Sequence, residues 1–573
     1  MAVPEKTGTR GASVVGERLR TLLERRASGG EGAALETFAQ LLLQRAQDYV
    51  GTLVEEEVAA LVASAFRFYA APGDELRARA IAPSYVTEGW DASVSVIETV
   101  MADRPFIVDT LGAALEAEGA APRALLHPIL AAGRDLTGRL ISLAPPNGGG
   151  RRESFVHVAV PRTADAAALA RLEQLVRDRL GDVRLVTDDF RAMLARAQEA
   201  AAELDGLARG GAGAGAEASA AADFLHWLVD GGFVFLGYRE YQVLTLGGTR
   251  VLLVRSGSGL GLLRRESRSA FSRPRPLAEL PEPVRARLLG DRLLTITKTI
   301  AESPVHRRTH MDDVGIRQLD ATGQVIGERR FIGLFTSKAY AEEAAEIPLL
   351  KRVLGQILAA EQVVPGSHDY KTIVAIFNVL PKDHLFAATP AEIRADIEAV
   401  MASGRTGDVA VSLHPRPSGF SALVVLPRDR LSGEARQRIL ETLATRAGGP
   451  CLADHVVLHE DQGLLSFTFA GDGPRLTGTE LADVRAAVRD LVRGWQERLE
   501  DELGARHGEA EAARLAARYR AAFPEGYRAS TPPARAAVDV ALLEAALGEG
   551  SMRVALGDDG VPAGTSALRL YGR

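Results

Sequence analysis

The order strand, helix, strand, strand, helix, strand can be read twice along this chain, and a third copy is expected to begin near residue 566. Repeated small α+β units of this kind, with no catalytic constellation between them, point to sensing or regulation rather than to an active site. In the first copy a strand is expected over 93–100. Asp103 offers a side-chain cap and Pro105 a residue that a helix start tolerates, ahead of Val108, Leu111 and Leu115 at helical spacing, with Gly119 as the stop. A strand ending in Leu126-His127-Pro128 follows, then one over 154–160 ending in Pro161-Arg162. Thr163 opens a second helix carrying Leu169, Leu172, Val176 and Leu180. Gly181 is expected to stop it before a last strand over 183–187.

The second copy begins with an expected strand over 372–380. Thr389-Pro390-Ala391-Glu392 reads as a capping box with proline at the first helical position, Ile393, Ile397 and Val400 as the apolar face, and Gly404 as the stop. A strand ends in Leu413-His414-Pro415, and the next, over 421–426, ends in Pro427-Arg428. Ser432 introduces a helix with Ile439, Leu440 and Leu443, and strands over 453–459 and 464–469 finish the unit. Leu-His-Pro and Pro-Arg thus recur at matching places. The loop between them is long in the first copy, 131–152, and tight around Gly419 in the second.

The remaining stretches divide the 573 residues as follows. Residues 1–80 read as a helical lead-in, 81–190 as the first unit, and 191–221 as a helix with an Ala/Gly-rich linker. Residues 222–345 read as a mostly antiparallel domain with strands over 233–243, 250–254, 293–299, 314–319 and 330–335. A connecting helix takes 346–370, the second unit 371–473, and a helical segment 474–565, where Leu481, Val484, Val488, Leu491, Trp495 and Leu499 mark one long helix. The strand over 568–571 has no expected partner, so 566–573 reads as the start of a truncated third unit.

Composition excludes several classes. A net charge of −6 argues against general polyanion binding, and 154–160 lacks the Arg/Lys-Gly opening of an RNA-recognition strand, so no nucleic-acid partner is expected. The single cysteine, Cys451, allows neither an internal disulfide nor a thiolate zinc site. With no apolar run long enough to span a bilayer and no signal-peptide core, the chain reads as cytoplasmic with no membrane partner. The glycines at 257–261 and 211–215 form no strand–GxGxxG–helix unit and read as a hairpin turn and a linker. His306, His310, Asp312 and Asp313 invite a metal reading. On a strand, however, the two histidines would stand ~13 Å apart, so an inter-strand charge network is expected there and no metal site.

Three blocks carry a family resemblance: SPVHRRTHMDDVGIR at 303–317, GERRFIGLFTSKAY at 327–340, and the forty residues from Ile347 to Phe386. Arg104-Pro105-Phe106-Ile107-Val108-Asp109, Glu153-Ser154-Phe155-Val156-His157 and 523–528 support them. Together they make the chain resemble the N-terminal regulatory region of the large bacterial NAD-specific glutamate dehydrogenases. The resemblance implies a multidomain α+β fold of ferredoxin-like, ACT-like modules with a β-rich, PAS-like domain and connecting helices. It also implies a homo-oligomeric enzyme that converts L-glutamate, NAD and water to 2-oxoglutarate, ammonium and NADH, under allosteric control.

No residue here matches a catalytic or NAD-binding motif, so none is assigned either role. NAD is expected in the full-length enzyme and not on this chain, and the chain's own C-terminal catalytic domain is an expected partner. An amino-acid effector is expected at the turn formed by Asp103, Pro105, Phe106 and Asp109, with His127 and His414 as further contacts at strand ends. The alternative is a non-catalytic oligomerisation scaffold or a stand-alone amino-acid-sensing protein.

Overall fold

The structure, a computed structural model, describes residues 15–27, 31–44, 46–209, 215–416, 419–471, 478–519, 521–557 and 566–572. It divides into two compact units, 1–352 and 353–573, of mixed helix and sheet.

Unit 1 begins with helices α1 (Glu17–Arg26), α2 (Gly32–Leu43), α3 (Gln47–Val50) and α4 (Glu55–Ala70). They are the roof of the first sheet rather than a separate lead-in: Phe38 of α2 meets Phe66, Tyr69 and the sheet's Phe155 in one core. The sheet contains β1 (Arg77–Ile81), β2 (Val94–Ala102), β3 (Ala124–Leu126), β4 (Ile129–Arg134), β5 (Leu140–Ala144) and β6 (Arg151–Pro161), with α5 (Ile107–Ala117) between β2 and β3. Its order is β1-β2-β6-β4-β5, with β3 also paired to β6. Alternation along β2 sends Val94, Val96, Glu98 and Val100 toward the roof helices and the residues between them the other way.

The strand expected over 183–187 does not form. Instead α6 runs unbroken from Ala166 to Arg209. The buried face at Val176 and Leu180 continues through Val183, Val186, Asp189, Met193 and Ala197 at three- and four-residue spacing. Against that continuous face Gly181 costs only about 1 kcal/mol. The place beside β2 is taken by β1, which precedes it. The long loop expected over 131–152 likewise holds a hairpin, β4 and β5.

α6 also seals the outer edge of β1: Glu173 accepts from the Ala80 N–H at 3.4 Å and Arg177 donates to the Ala78 carbonyl at 2.6 Å. The expected linker is largely helical, since α6 reaches Arg209 and α7 (Gly215–Trp227) begins six residues later; 210–214 lie outside the described residues.

The β-rich part agrees with expectation. β7 (Phe233–Leu246), β8 (Thr249–Val254), β9 (Leu260–Gly261), β10 (Arg275–Pro276), β11 (Leu294–Glu302), β12 (His310–Leu319) and β13 (Val325–Phe335) form an antiparallel sheet. Its order is β10-β8-β7-β13-β12-β11, with β9 paired to β7. α8 (Glu282–Leu289) precedes β11, and α9 (Ser337–Ala341) and α10 (Pro348–Ala360) follow β13. The expected inter-strand charge network is present: Asp313 lies 2.7 Å from Arg330 and 3.4 Å from Arg287, which also meets Glu328 at 2.7 Å.

Unit 2 corrects the second copy at its start. Residues 372–380 are helical, within α11 (His368–Val379), capped by Ser367. The buried positions Ile373, Ile376 and Phe377 follow a helix, and the stretch is apolar enough to have passed for a buried strand. α12 (Lys382–Ala387) and α13 (Pro390–Thr406) follow, the latter with the expected Thr389/Glu392 capping box. Its stop is Gly407, whose φ of 72° suits a residue without Cβ, and not Gly404.

β14 (Ala410–Arg416), β15 (Gly419–Pro427), α14 (Gly433–Ala447), β16 (Cys451–His459) and β17 (Gln462–Phe469) complete a sheet ordered β14-β15-β17-β16. The long helix expected through Trp495 is broken into α15 (Gly478–Leu491) and α16 (Trp495–His507), because Gly494 starts a new capped helix with Glu497. α17 (Glu509–Tyr519), α18 (Glu525–Ser530) and α19 (Pro533–Glu549) follow. The strand expected to lack a partner, within β19 (Ala567–Tyr571), pairs with β18 (Arg553–Gly557). No helix of the described residues is long and apolar enough to cross a membrane.

Candidate functional site

The turn between β2 and α5 is already engaged by protein. Phe106, the residue before α5, has φ 74°, so the helix starts only at Ile107 and Asp103 is too far back to cap it. Asp103 instead accepts from the Arg152 guanidinium at 3.0 Å. Pro105 is exposed.

The β11–β12 loop places His306, itself at φ 68°, against this turn. The His306 N–H donates to Thr110 Oγ1 at 2.9 Å, its Nδ1 lies 3.0 Å from Asp109 Oδ2, and its ring lies 5.0 Å from that of Phe106. Two non-glycine residues in the left-handed region therefore face each other, a strained pairing that the surrounding contacts must hold in place. Thr110 and His306 had not been singled out for this turn. Their meeting joins residues almost two hundred positions apart, and no local pattern announces it.

His127 lies apart from this contact, its Nε2 2.7 Å from Ser154 Oγ. Burial pushes its imidazole below the ordinary range, with the Asp103 charge opposing. His310, the other histidine weighed as a ligand, points its Nδ1 to the Thr299 carbonyl at 3.0 Å.

His414 is in unit 2, in a different kind of place. Its Nε2 lies 2.9 Å from Asp396 Oδ2, and His384 Nε2 lies 2.7 Å from the same oxygen. Donors and acceptor come from β14, α13 and α12. Both His384 and Asp396 are fully enclosed. Burial opposes the Asp396 charge, yet hydrogen bonds from His384 and His414 hold its carboxyl well below the usual carboxylate range. Beyond His414, Glu392 stands 3.7 Å from Nδ1 and is itself held by Arg416 at 2.8 Å. Ligand-type atoms of His384, Asp396 and His414 all lie within 4.8 Å of one another. Sequence reading singled out His414 alone of the three, because they are 12 and 18 residues apart with no compact motif.

Residues 38–176 match the model of the glutamate dehydrogenase ACT1 domain, 347–403 that of glutamate dehydrogenase helical motif 1, and 502–546 that of helical motif 2. The chain is 29% identical over 533 residues to the NAD-specific glutamate dehydrogenase of Halomonas elongata, covering 89% of this chain and 32% of that protein. It is 30% identical over 478 residues to that of Pseudomonas aeruginosa (82% and 29%) and 26% over 455 residues to that of Mycobacterium tuberculosis (76% and 26%). It therefore spans less than a third of the length of the curated relatives it matches. By sequence, the chain belongs with the large bacterial NAD-specific glutamate dehydrogenases.

Proposed function

We propose that this chain forms a regulatory, non-catalytic part of a NAD-dependent glutamate dehydrogenase that works as a cytoplasmic homo-oligomer. In this reading the first sheet and the unit 2 sheet are ACT-like modules and the β-rich sheet is PAS-like. NAD and the glutamate chemistry belong to residues outside this chain. The observation that carries the proposal is the ACT1 match over 38–176, which falls on the first sheet of a chain aligned with under a third of much longer NAD-specific enzymes. An amino-acid effector would enter at the turn before α5, where the first helical N–H groups favour a carboxylate. To do so it must displace His306. Binding would then shift the β-rich sheet relative to the first one, by as much as the effector's affinities for the two arrangements differ.

The test has two arms. The purified chain, given L-glutamate and NAD, is expected to make no NADH; turnover by the chain alone would overturn the proposal. A saturating amino acid, at 100 times its Kd, is expected to stabilise the fold by about 2.7 kcal/mol. The occupied turn favours a second reading, in which the contact is a fixed joint of a scaffold. Thermal stability that no common amino acid moves would select that reading.

A further inference from the structure

Of the acidic residues buried over the whole residue among the described residues, all but one sit beside a permanent cation. Arg79 serves Glu98, Arg134 serves Glu153, Arg264 serves Asp189 and Arg255 serves Glu240. Lys298 serves Asp312, Arg330 serves Asp313, Arg287 serves Glu328 and Arg535 serves Asp539. Asp396 is the exception: its partners are two imidazoles, His384 and His414, and the one arginine beside the cluster, Arg416, is committed to Glu392. A buried carboxylate without a compensating charge is among the costliest things a core can hold. The missing positive charge must come from a proton shared with the imidazoles or from a bound cation.

We propose that His384 Nε2, His414 Nε2 and the Asp396 carboxylate form a site for a divalent transition-metal ion of the zinc class. The donor set, two imidazole nitrogens and one carboxylate oxygen, suits zinc or cobalt and not magnesium or calcium, which take oxygen ligands. Ligands at ~2.1 Å from a tetrahedral ion stand ~3.4 Å apart. The 2.7 and 2.9 Å separations seen here therefore need to open by about 0.5–0.7 Å. Glu392, oriented by Arg416, stands 3.7 Å from His414 Nδ1 and is placed to become the outer carboxylate partner that metal-bound histidines use. The Nδ1 of His384 is enclosed without a hydrogen-bond partner, so the polar chemistry of that ring runs through Nε2. An ion here would pin α12, α13 and β14 together, a structural role within unit 2.

The untagged chain, stripped with a chelator, is titrated with Zn²⁺ and with Co²⁺ by calorimetry and by cobalt absorption. The expected result is one ion per chain, with X-ray absorption showing two imidazole nitrogens at ~2.0–2.1 Å. His384→Gln and His414→Gln should weaken binding more than about 100-fold, and Glu392→Gln by about 10–100-fold. His226→Gln, at an exposed histidine, should change nothing. Wild-type protein that takes up no stoichiometric ion overturns the site, and so does an absorption spectrum without imidazole ligands. The wild-type arms decide the matter even if a variant fails to fold. Equal affinity in folded His384→Gln and His414→Gln would also overturn it.

Discussion

Each unit buries a carboxylate against histidine, and the two neutralise it differently. In unit 1, Glu98 of β2 meets His157 of β6 at 2.9 Å and Arg79 of β1 at 2.6 Å, while Tyr49 approaches the other ring nitrogen of His157 at 3.2 Å. A guanidinium sits inside that cluster, and its fixed charge makes the network complete without help. In unit 2, Asp396 has two imidazoles and no guanidinium. The difference teaches that a carboxylate–histidine pair in a core is not one kind of object. Where a permanent cation is built in, the cluster is structural; where it is missing, the cluster is open to a cation from outside.

The comparison can be broken most directly at Arg79. Arg79→Met would leave Glu98 buried and uncompensated, and unit 1 should lose about 3–5 kcal/mol, read as faster amide exchange in β2 and β6 during urea unfolding. A silent Arg79→Met would mean that the guanidinium does not hold the cluster. In unit 2 the matching change is Asp396→Asn, which keeps shape and removes charge. Its expected cost is about 1–3 kcal/mol, seen as exchange in α13 and β14 with β2 and β6 unaffected.

Acid sharpens the contrast further. Burial opposes the Glu98 charge, but the hydrogen bond from His157 and the Arg79 charge hold its carboxyl below the usual range in the fold. The unfolded chain therefore takes up this proton first as pH falls. The stabilisation is full above the ordinary glutamate value of ~4.3 and is lost as pH drops through the folded value. Unit 1 stability measured between neutral and acid pH should show this loss, and Glu98→Gln should flatten it. The smallest effect is expected at His306→Ala. Asp109 is mostly exposed, so the loss should be about 0–1 kcal/mol. The sign to look for is faster exchange in the first turn of α5.

Much of the architecture was legible because local chemistry and burial agreed. The Thr389/Glu392 capping box, the Ser432 cap and the strand over 154–160 all describe real elements. Two errors had one origin. At 183–187 and 372–380, β-branched apolar runs were read as strands, although their buried positions keep a three- or four-residue period through the flanking residues. Each misplaced strand then hid the true partner: β1 lies beside β2, and β17 lies beside β15. The two Leu-His-Pro repeats were also real, yet their histidines do different work, His127 against a serine and His414 against a buried aspartate.

The sequence by itself determined the alternation of small α+β units with a β-rich part, since periodicity, caps and turn residues act over a few positions. It determined the family as well, because long motif blocks survive as strings. Only the tertiary structure decided which strand fills each place in a sheet, that His306 closes the turn before α5, and that His384, Asp396 and His414 converge. Those outcomes depend on which distant faces can bury one another, and a buried charge finds its partner across space rather than along the chain.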